Sequence, residues 1–457
     1  MVKLKVGLEI HAYLSTNEKL FCRCKASRER GLEPNTLICP ICTGQPGAKP
    51  MAPNATAVER AVQIALLLSC KLNDNMPWMR KHYDWPDLPK GYQTTMSGAH
   101  AVPLGVNGKF EGINIESMHL EEDPAAWEPK TGAVDYNRSG LPLVEIVTAP
   151  DFKSADEVYD WVNKLVHALN YLKAVDTNAG IKADVNVSIV EDSGEQKTQR
   201  VEVKNITSIE AMKAAVLYEF ERQNKEGSVR ETRRFDEAKG TTMRMRSKEQ
   251  AEDYRFIVDP DLNSVALTTA FINSQKKNVP ELPTIKVEKL IKKHQVSKKD
   301  APVIAKDVDI ANFFEQVAKK VESKFALPWV TVELFRVLNY NNKKLSEVDI
   351  SVEHFVKLLN LVKEKKITEL QAKQILNKFV PKSFDPTNTE SKMESEKELK
   401  PVIDKVIKDN RKVVDDYIRG DIKAFNYLIG EVMRATNRRA DSAAVRKLIE
   451  KMLNQKN

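Results

Sequence analysis

Glycine is missing from the middle of this chain. Of 17 glycines in 457 residues, fifteen lie at or before Gly240, and only Gly420 and Gly430 follow. A turn-rich first half and a turn-poor second half are the first expectation. Long hydrophobic runs are missing too. The longest, around Ala61 to Cys70, contains Gln63 and falls well short of the ~20 apolar residues of a membrane-spanning helix. The opening Met1-Val-Lys-Leu-Lys-Val-Gly runs straight into a strand-like pattern without a small-residue cleavage site. That excludes a signal peptide and makes a cytoplasmic protein the default. No Gly-x-x-x-x-Gly-Lys-Ser/Thr loop or Gly-x-Gly-x-x-Gly turn occurs, so neither standard nucleotide cradle is present. The Gly-x-Ser-x-Gly elbow of serine hydrolases is also lacking. Cysteine is scarce and odd in number, at five. Four of the five are grouped, which points to a metal rather than to disulfides.

What is present suits a soluble globular protein: 42% hydrophobic and 30% charged residues. At this length two or three domains are expected. A net charge of +8 permits a polyanionic partner without demanding one, since positive charge steers only where it is clustered. Strand patterns dominate early. Lys3 to Leu14 alternates almost strictly, and others follow at Ile113–Leu120, Leu141–Val147, Ala183–Ile189 and Arg200–Val203. Helical patterns interrupt them at Ala55–Leu72, Ala155–Leu172 and Ser208–Glu226, the last with a cap at Ser208. These features predict an α+β domain with a mixed or antiparallel sheet over residues 1–283, closed by Val279-Pro-Glu-Leu-Pro283. An all-α domain over residues 284–400 is predicted next, its end from Pro381 reading as a polar linker, and a small helical tail over residues 401–457 follows.

Four constellations carry chemistry. Cys22-Arg-Cys24 and Cys39-Pro-Ile-Cys42, fourteen residues apart, offer four soft thiolates on two tight turns, the donor set of a structural zinc site. Cys70, on an apolar helical pattern, reads as core. Glu9 and His11 alternate onto one face of the first strand, and His119-Leu-Glu121-Glu122-Asp123 ends another. So many carboxylates in one place call for a cation, with magnesium the natural candidate; the alternative is a solvated strand edge. Polar clusters at Lys81–Asp84, Asp87, Lys90, Tyr92-Gln93, Asp135–Arg138, Lys204-Asn205 and Glu231–Arg234 hold cations able to neutralise a transferring phosphoryl group, or else form salt-bridged loops. The C-terminal set Arg434, Arg438, Arg439, Arg446, Lys447 and Lys451 either tracks a phosphate backbone or is a solvated helix face.

Eight ordered blocks turn these clusters into a resemblance. Gly7–His11, Arg80–Gln93, His119–Asp123, Asp135–Val147, Asp184–Ser188, Val203–Ser208, Glu231–Asp236 and Asp253–Phe256 resemble, in order, the blocks of the GatB/GatE amidotransferase family. Pro280–Pro283 and Tyr417–Met433 continue the likeness. The resemblance implies a cradle-shaped catalytic domain, a helical domain and a YqeY-like tail. It implies a carbon–nitrogen ligase of protein biosynthesis that uses ATP and magnesium to phosphorylate the misplaced carboxylate of Glu-tRNA(Gln) or Asp-tRNA(Asn). Ammonia from an A subunit then displaces phosphate, a small C subunit completing the heterotrimer. The chemistry is coherent, since a carboxylate leaves as oxide unless phosphorylated, and water must be excluded from the acyl phosphate. The resemblance makes Glu9, His11 and one or both of Glu121 and Glu122 the magnesium ligands, and Lys81, Glu122 and Glu145 catalytic with Glu9 and His11. Lys90, Asn137, Arg138, Asp184, Lys204, Asn205 and Arg233 become nucleotide-pocket residues, and Cys22, Cys24, Cys39 and Cys42 the zinc knuckle of some members. Two departures stand out. Lys182-Ala-Asp184 replaces a frequent arginine, and an arginine fork is not equivalent to a lysine point charge. Asn437-Arg-Arg439 stands where the tail's last loop usually has glycine. No room exists between Val203 and Pro283 for the synthetase-like insertion of the archaeal E type, which favours the B type.

Overall fold

In a computed structural model, the opening alternation becomes strand β1 (Val2–Tyr13). The structure describes the chain apart from residues 1, 30, 99, 177–179, 248–253, 389–392, 394 and 455–457, and the side chains of residues 205, 246, 247, 388 and 454. Leu4, Val6, Leu8, Ile10 and Ala12 of β1 are buried in one hydrophobic core. Lys3, Lys5, Glu9 and His11 point the other way, as period-two geometry requires.

Eight further strands extend β1 into a nine-stranded sheet. In chain order they are β2 (Lys71–Leu72), β3 (Gly105–Phe110), β4 (Ile113–Glu122), β5 (Pro142–Thr148), β6 (Ile181–Glu191), β7 (Val201–Ile206), β8 (Glu231–Asp236) and β9 (Thr241–Ser247). Their spatial order is β9-β8-β7-β6-β1-β5-β4-β3-β2. All neighbours run antiparallel except β7 and β8, which are parallel. Three helices supply the apolar cover: α1 (Ala55–Leu67), α2 (Ala155–Leu172) and α3 (Ile209–Glu226). Each starts at a side-chain cap. Asn54, Ser154 and Ser208 accept from Ala57 N, Glu157 N and Ala211 N, satisfying amides that a helix N-terminus leaves unpaired.

Helix α1 is shorter than its apolar pattern predicts. It ends at Leu67, not Leu72. Ser69 adopts φ +56°, while Ser69 N and Cys70 N donate to Leu66 O and Ala65 O at 3.0 and 2.9 Å. This is the Schellman arrangement that closes a helix, and it frees Lys71-Leu72 to pair with β3. Cys70 is buried in the core, as expected.

The chain divides into two units, Met1–Leu282 and Pro283–Asn457. The first is the α+β unit just described. The second is helical throughout its described elements and holds two cores, one running from Leu290 to Phe379 and one from Leu399 to Leu453. The last core is built by Glu396–Asp409, Arg411–Ile418, Ile422–Ala435 and Ser442–Asn454. Its first helix begins at Glu396, five residues before the boundary expected at Pro401. Ser395 and Glu398 form a reciprocal capping box there, the Ser-x-x-Glu signature of a helix start.

Candidate functional site

Register assembles a polar row across the side of the sheet that the three helices leave uncovered. His119 of β4 stands opposite Glu145 of β5, which stands opposite His11 of β1, which faces Lys182 of β6. Glu9 pairs with Asp184 on the same face, and Glu121 with Leu143. His11 Nε2 lies 3.6 Å from Glu145 Oε1. Asn186 Nδ2 donates to Glu9 Oε1 at 2.9 Å. Lys204 Nζ reaches both Asp184 and Glu202 at 2.8 Å. Carboxylate oxygens of Glu9, Asp184 and Glu202 lie within 4.8 Å of one another. A cleft of about 400 Å³ opens beside them, lined in part by Lys5, Glu9, Asn186, Ser188, Arg200 and Arg230.

The charge here is unbalanced. Burial, and then the neighbouring Glu121 and Glu9, hold Glu145 well above the usual carboxylate range, and Lys81 opposes them only in part. Crowded hard oxygens that resist joint ionisation are the donor chemistry of a divalent cation such as magnesium. Burial works against the charged amine of Lys204, yet Asp184 and Glu202 keep it above its ordinary range. Burial lowers His119, and its ring is fixed between Ser117 Oγ at 2.9 Å and Met96 O at 3.1 Å. Burial, with Arg138 nearby, also lowers Lys182.

A small sheet of Met79–His82, Gln93–Thr95 and Arg255–Val258 walls this floor. It separates the two adjacent glutamates. Glu121 accepts from the hydroxyls of Thr95 and, at 3.0 Å, of Ser97. Glu122 instead accepts from Lys90 Nζ and from Thr94 N at 2.9 Å, so Lys90 and Glu122 neutralise each other. Lys81 lies 4.6 Å from the centre of the Tyr254 ring, a cation–π contact.

The second wall is the cysteine knuckle. The four sulfurs of Cys22, Cys24, Cys39 and Cys42 lie within 4.8 Å of one another, and Cys42 and Cys39 are 3.9 Å apart. Tetrahedral zinc with bonds of about 2.3 Å sets sulfurs about 3.8 Å apart, so the donor set fits. A hydrogen bond from Cys22 draws the Cys42 thiol down to about 5, against burial and with help from Lys19.

Sequence-named residues divide between the floor and its supports. Glu9, His11, Glu121, Glu145, Asp184 and Lys204 share the polar face, with Lys81 above it. Asn137 does not face the floor. Its side chain accepts from Leu37 N and donates to Glu33 O, both at 2.7 Å, so it staples the knuckle. Arg138 is bound to Asp123, its Nη2 2.9 Å from Oδ1. Arg233 lies on the helix side, where it pairs with Glu219 at 3.3 Å and Glu231 at 2.8 Å and donates to Thr242 O at 2.9 Å. Its parity follows from its pairing with Val203, whose side chain is in the core. The Asn205 side chain lies outside the described residues, as does Asp253. Glu202 was not anticipated. The alternation Val201-Glu-Val-Lys204, with both valines in the core, is the signal that would have found it.

Such a floor of carboxylates and imidazole, walled by a thiolate knuckle, is the architecture of a catalytic domain. Residues 4–273 match the family described as the GatB/GatE catalytic domain, and residues 312–453 match the GatB domain. The first match alone spans more than half of the chain, so this protein belongs to the GatB/GatE family. It is 41% identical to the B subunit of the aspartyl/glutamyl-tRNA(Asn/Gln) amidotransferase of Methanocaldococcus jannaschii, covering 99% of this chain and 98% of that protein. It is 40% identical to the corresponding B subunit from Methanopyrus kandleri over 99% of both chains. For the B subunit from Methanothermobacter thermautotrophicus the identity is 38%, with 98% and 100% coverage.

Proposed function

We propose that this chain is the B subunit of an aspartyl/glutamyl-tRNA(Asn/Gln) amidotransferase, a ligase that converts Glu-tRNA(Gln) or Asp-tRNA(Asn) to the amide. What supports this most directly is end-to-end identity of about 40% to curated B subunits, together with the carboxylate and imidazole floor in the part matching the catalytic domain. ATP reaches the floor from the adjoining cleft and phosphorylates the side-chain carboxylate, and ammonia then displaces phosphate. Glu9, His11, Glu121 and Glu145 would hold magnesium, which when bound would supply positive charge to offset that of the transferring phosphoryl group. Lys81 and Lys204 add fixed positive charge; Lys90 orders Glu122, which stays a support. The knuckle cysteines hold zinc. An A subunit supplies ammonia, a C subunit completes the assembly, and the setting is cytoplasmic. No described helix is long and apolar enough to cross a membrane.

The test is amide formation on Glu-tRNA or Asp-tRNA by this chain mixed with A and C subunits, glutamine and ATP. His11→Ala is expected to lower it by at least about 100-fold, the scale of losing a transition-state electrostatic contact, with glutamine hydrolysis still detectable. Equal loss of both activities would overturn the reading.

A further inference from the structure

Lys19 is fully buried. Its amine donates to Cys42 Sγ at 3.5 Å and to Tyr136 O at 3.1 Å. Among the described residues it has no carboxylate partner. A buried ammonium without a compensating anion is costly, and among the atoms it touches only the Cys42 sulfur, as a thiolate, can supply that anion. A divalent metal held by four thiolates carries a net charge of −2, and that charge meets the need. The same amine touches the turn that faces the floor. Ser139 Oγ donates to Cys42 O at 2.8 Å, and Leu20 N donates to Gly140 O at 2.8 Å. Just before them in the chain, Arg138 grips Asp123, which also accepts from Tyr13 Oη at 2.8 Å.

We propose that Lys19 is a positioning residue. Its amine balances the charge of a metal tetrathiolate at Cys22, Cys24, Cys39 and Cys42, and through Tyr136 it fixes the turn that holds Arg138 against Asp123. This rests on the zinc reading of the knuckle and adds to it a specific partner and a mechanical link. A solvated lysine at the rim of a zinc site would supply neither.

The experiment uses the full chain, loaded with zinc or with cobalt as a spectroscopic substitute. Lys19→Met is expected to release zinc to a chelator at least about 10-fold faster, the range seen when outer partners of metal ligands are lost. It is also expected to shift the thiolate-to-cobalt charge-transfer band and to speed amide exchange over residues 136–141. Lys19→Arg restores all three. Lys19→Met behaving like the parent overturns the role of Lys19 while leaving the zinc centre standing. A parent that binds no zinc overturns both. Should Lys19→Met fail to fold, Lys19→Gln and Lys19→Arg decide it: retention by arginine with loss by glutamine supports the proposal, and equal behaviour of the two sinks it.

Discussion

At the residue scale, Glu145 is where the site's electrostatics can be measured. Burial and the adjacent Glu121 and Glu9 raise it well above an ordinary carboxyl, so the metal-free folded chain holds this proton more tightly than the unfolded chain does. Stability from this group is therefore present at low pH and is lost as pH rises from the ordinary carboxylate range through the raised value. Thermal unfolding of chelator-treated protein should show that decline. Glu145→Gln should flatten it and abolish the added stability that magnesium gives the parent; an unchanged slope would refute the assignment. Arg233 makes the contrary case. Its partner Glu219 is fully buried but keeps Arg222 at 2.8 Å, so Arg233→Ala should cost about 1–3 kcal/mol, the scale of one lost buried charged hydrogen bond rather than of a stranded charge. Calorimetry would read this as destabilisation, with the KM for ATP unchanged in any fraction that folds. Glu9 and His11 were legible because strict alternation on an edge-free central strand fixes the face of each side chain. Arg233, Asn137 and Arg138 were not. Arginine and asparagine suit phosphate and buried loops equally, and only the register decides which they meet.

At the element scale, the cap at Ser208 and five of the nine sheet strands were readable, and helix α2 has the predicted bounds, because capping and periodicity are local. The end of α1 was not, since Ser69 in a left-handed conformation does what glycine usually does. The last loop of the tail repeats the theme. Asn437 and Arg438 hold φ of +50° and +61° at the segment where glycine is usual in the family. Asparagine tolerates that region and arginine does not. Arg438 O also accepts from Thr368 Oγ1 at 2.9 Å, which helps hold the turn. Arg438→Gly should stabilise the helical unit by roughly 1 kcal/mol, seen as a higher denaturant midpoint; a fall would show that the arginine side chain contributes more than the strain removes. Gly108 is the opposite constraint. A Cβ there would meet Cys70 Sγ at 2.5 Å and Leu68 O at 2.7 Å, so Gly108→Ala should cost about 1–3 kcal/mol.

At the scale of the whole molecule, the loss of glycine after Gly240 anticipated the change from sheet to helix, though strand β9 and the 255–258 strand still lie in that stretch. The two units hold separate cores. A chelator strong enough to strip the knuckle should therefore lower the unfolding temperature of the first unit and leave that of the second unmoved; a common shift would mean that they melt together. One feature of the first unit reaches beyond stability. All three of its long helices lie on one side of the sheet, so among the described residues the reacting groups sit on a bench that the three-stranded sheet shelters only in part, burying His119 and Glu121 while leaving Glu9 and His11 part-exposed. Such a bench can grip and orient, but dryness has to come from whatever is laid on it. The chain working alone with nucleotide should thus spend phosphate on water, and only a docked acceptor end would turn that leak into product.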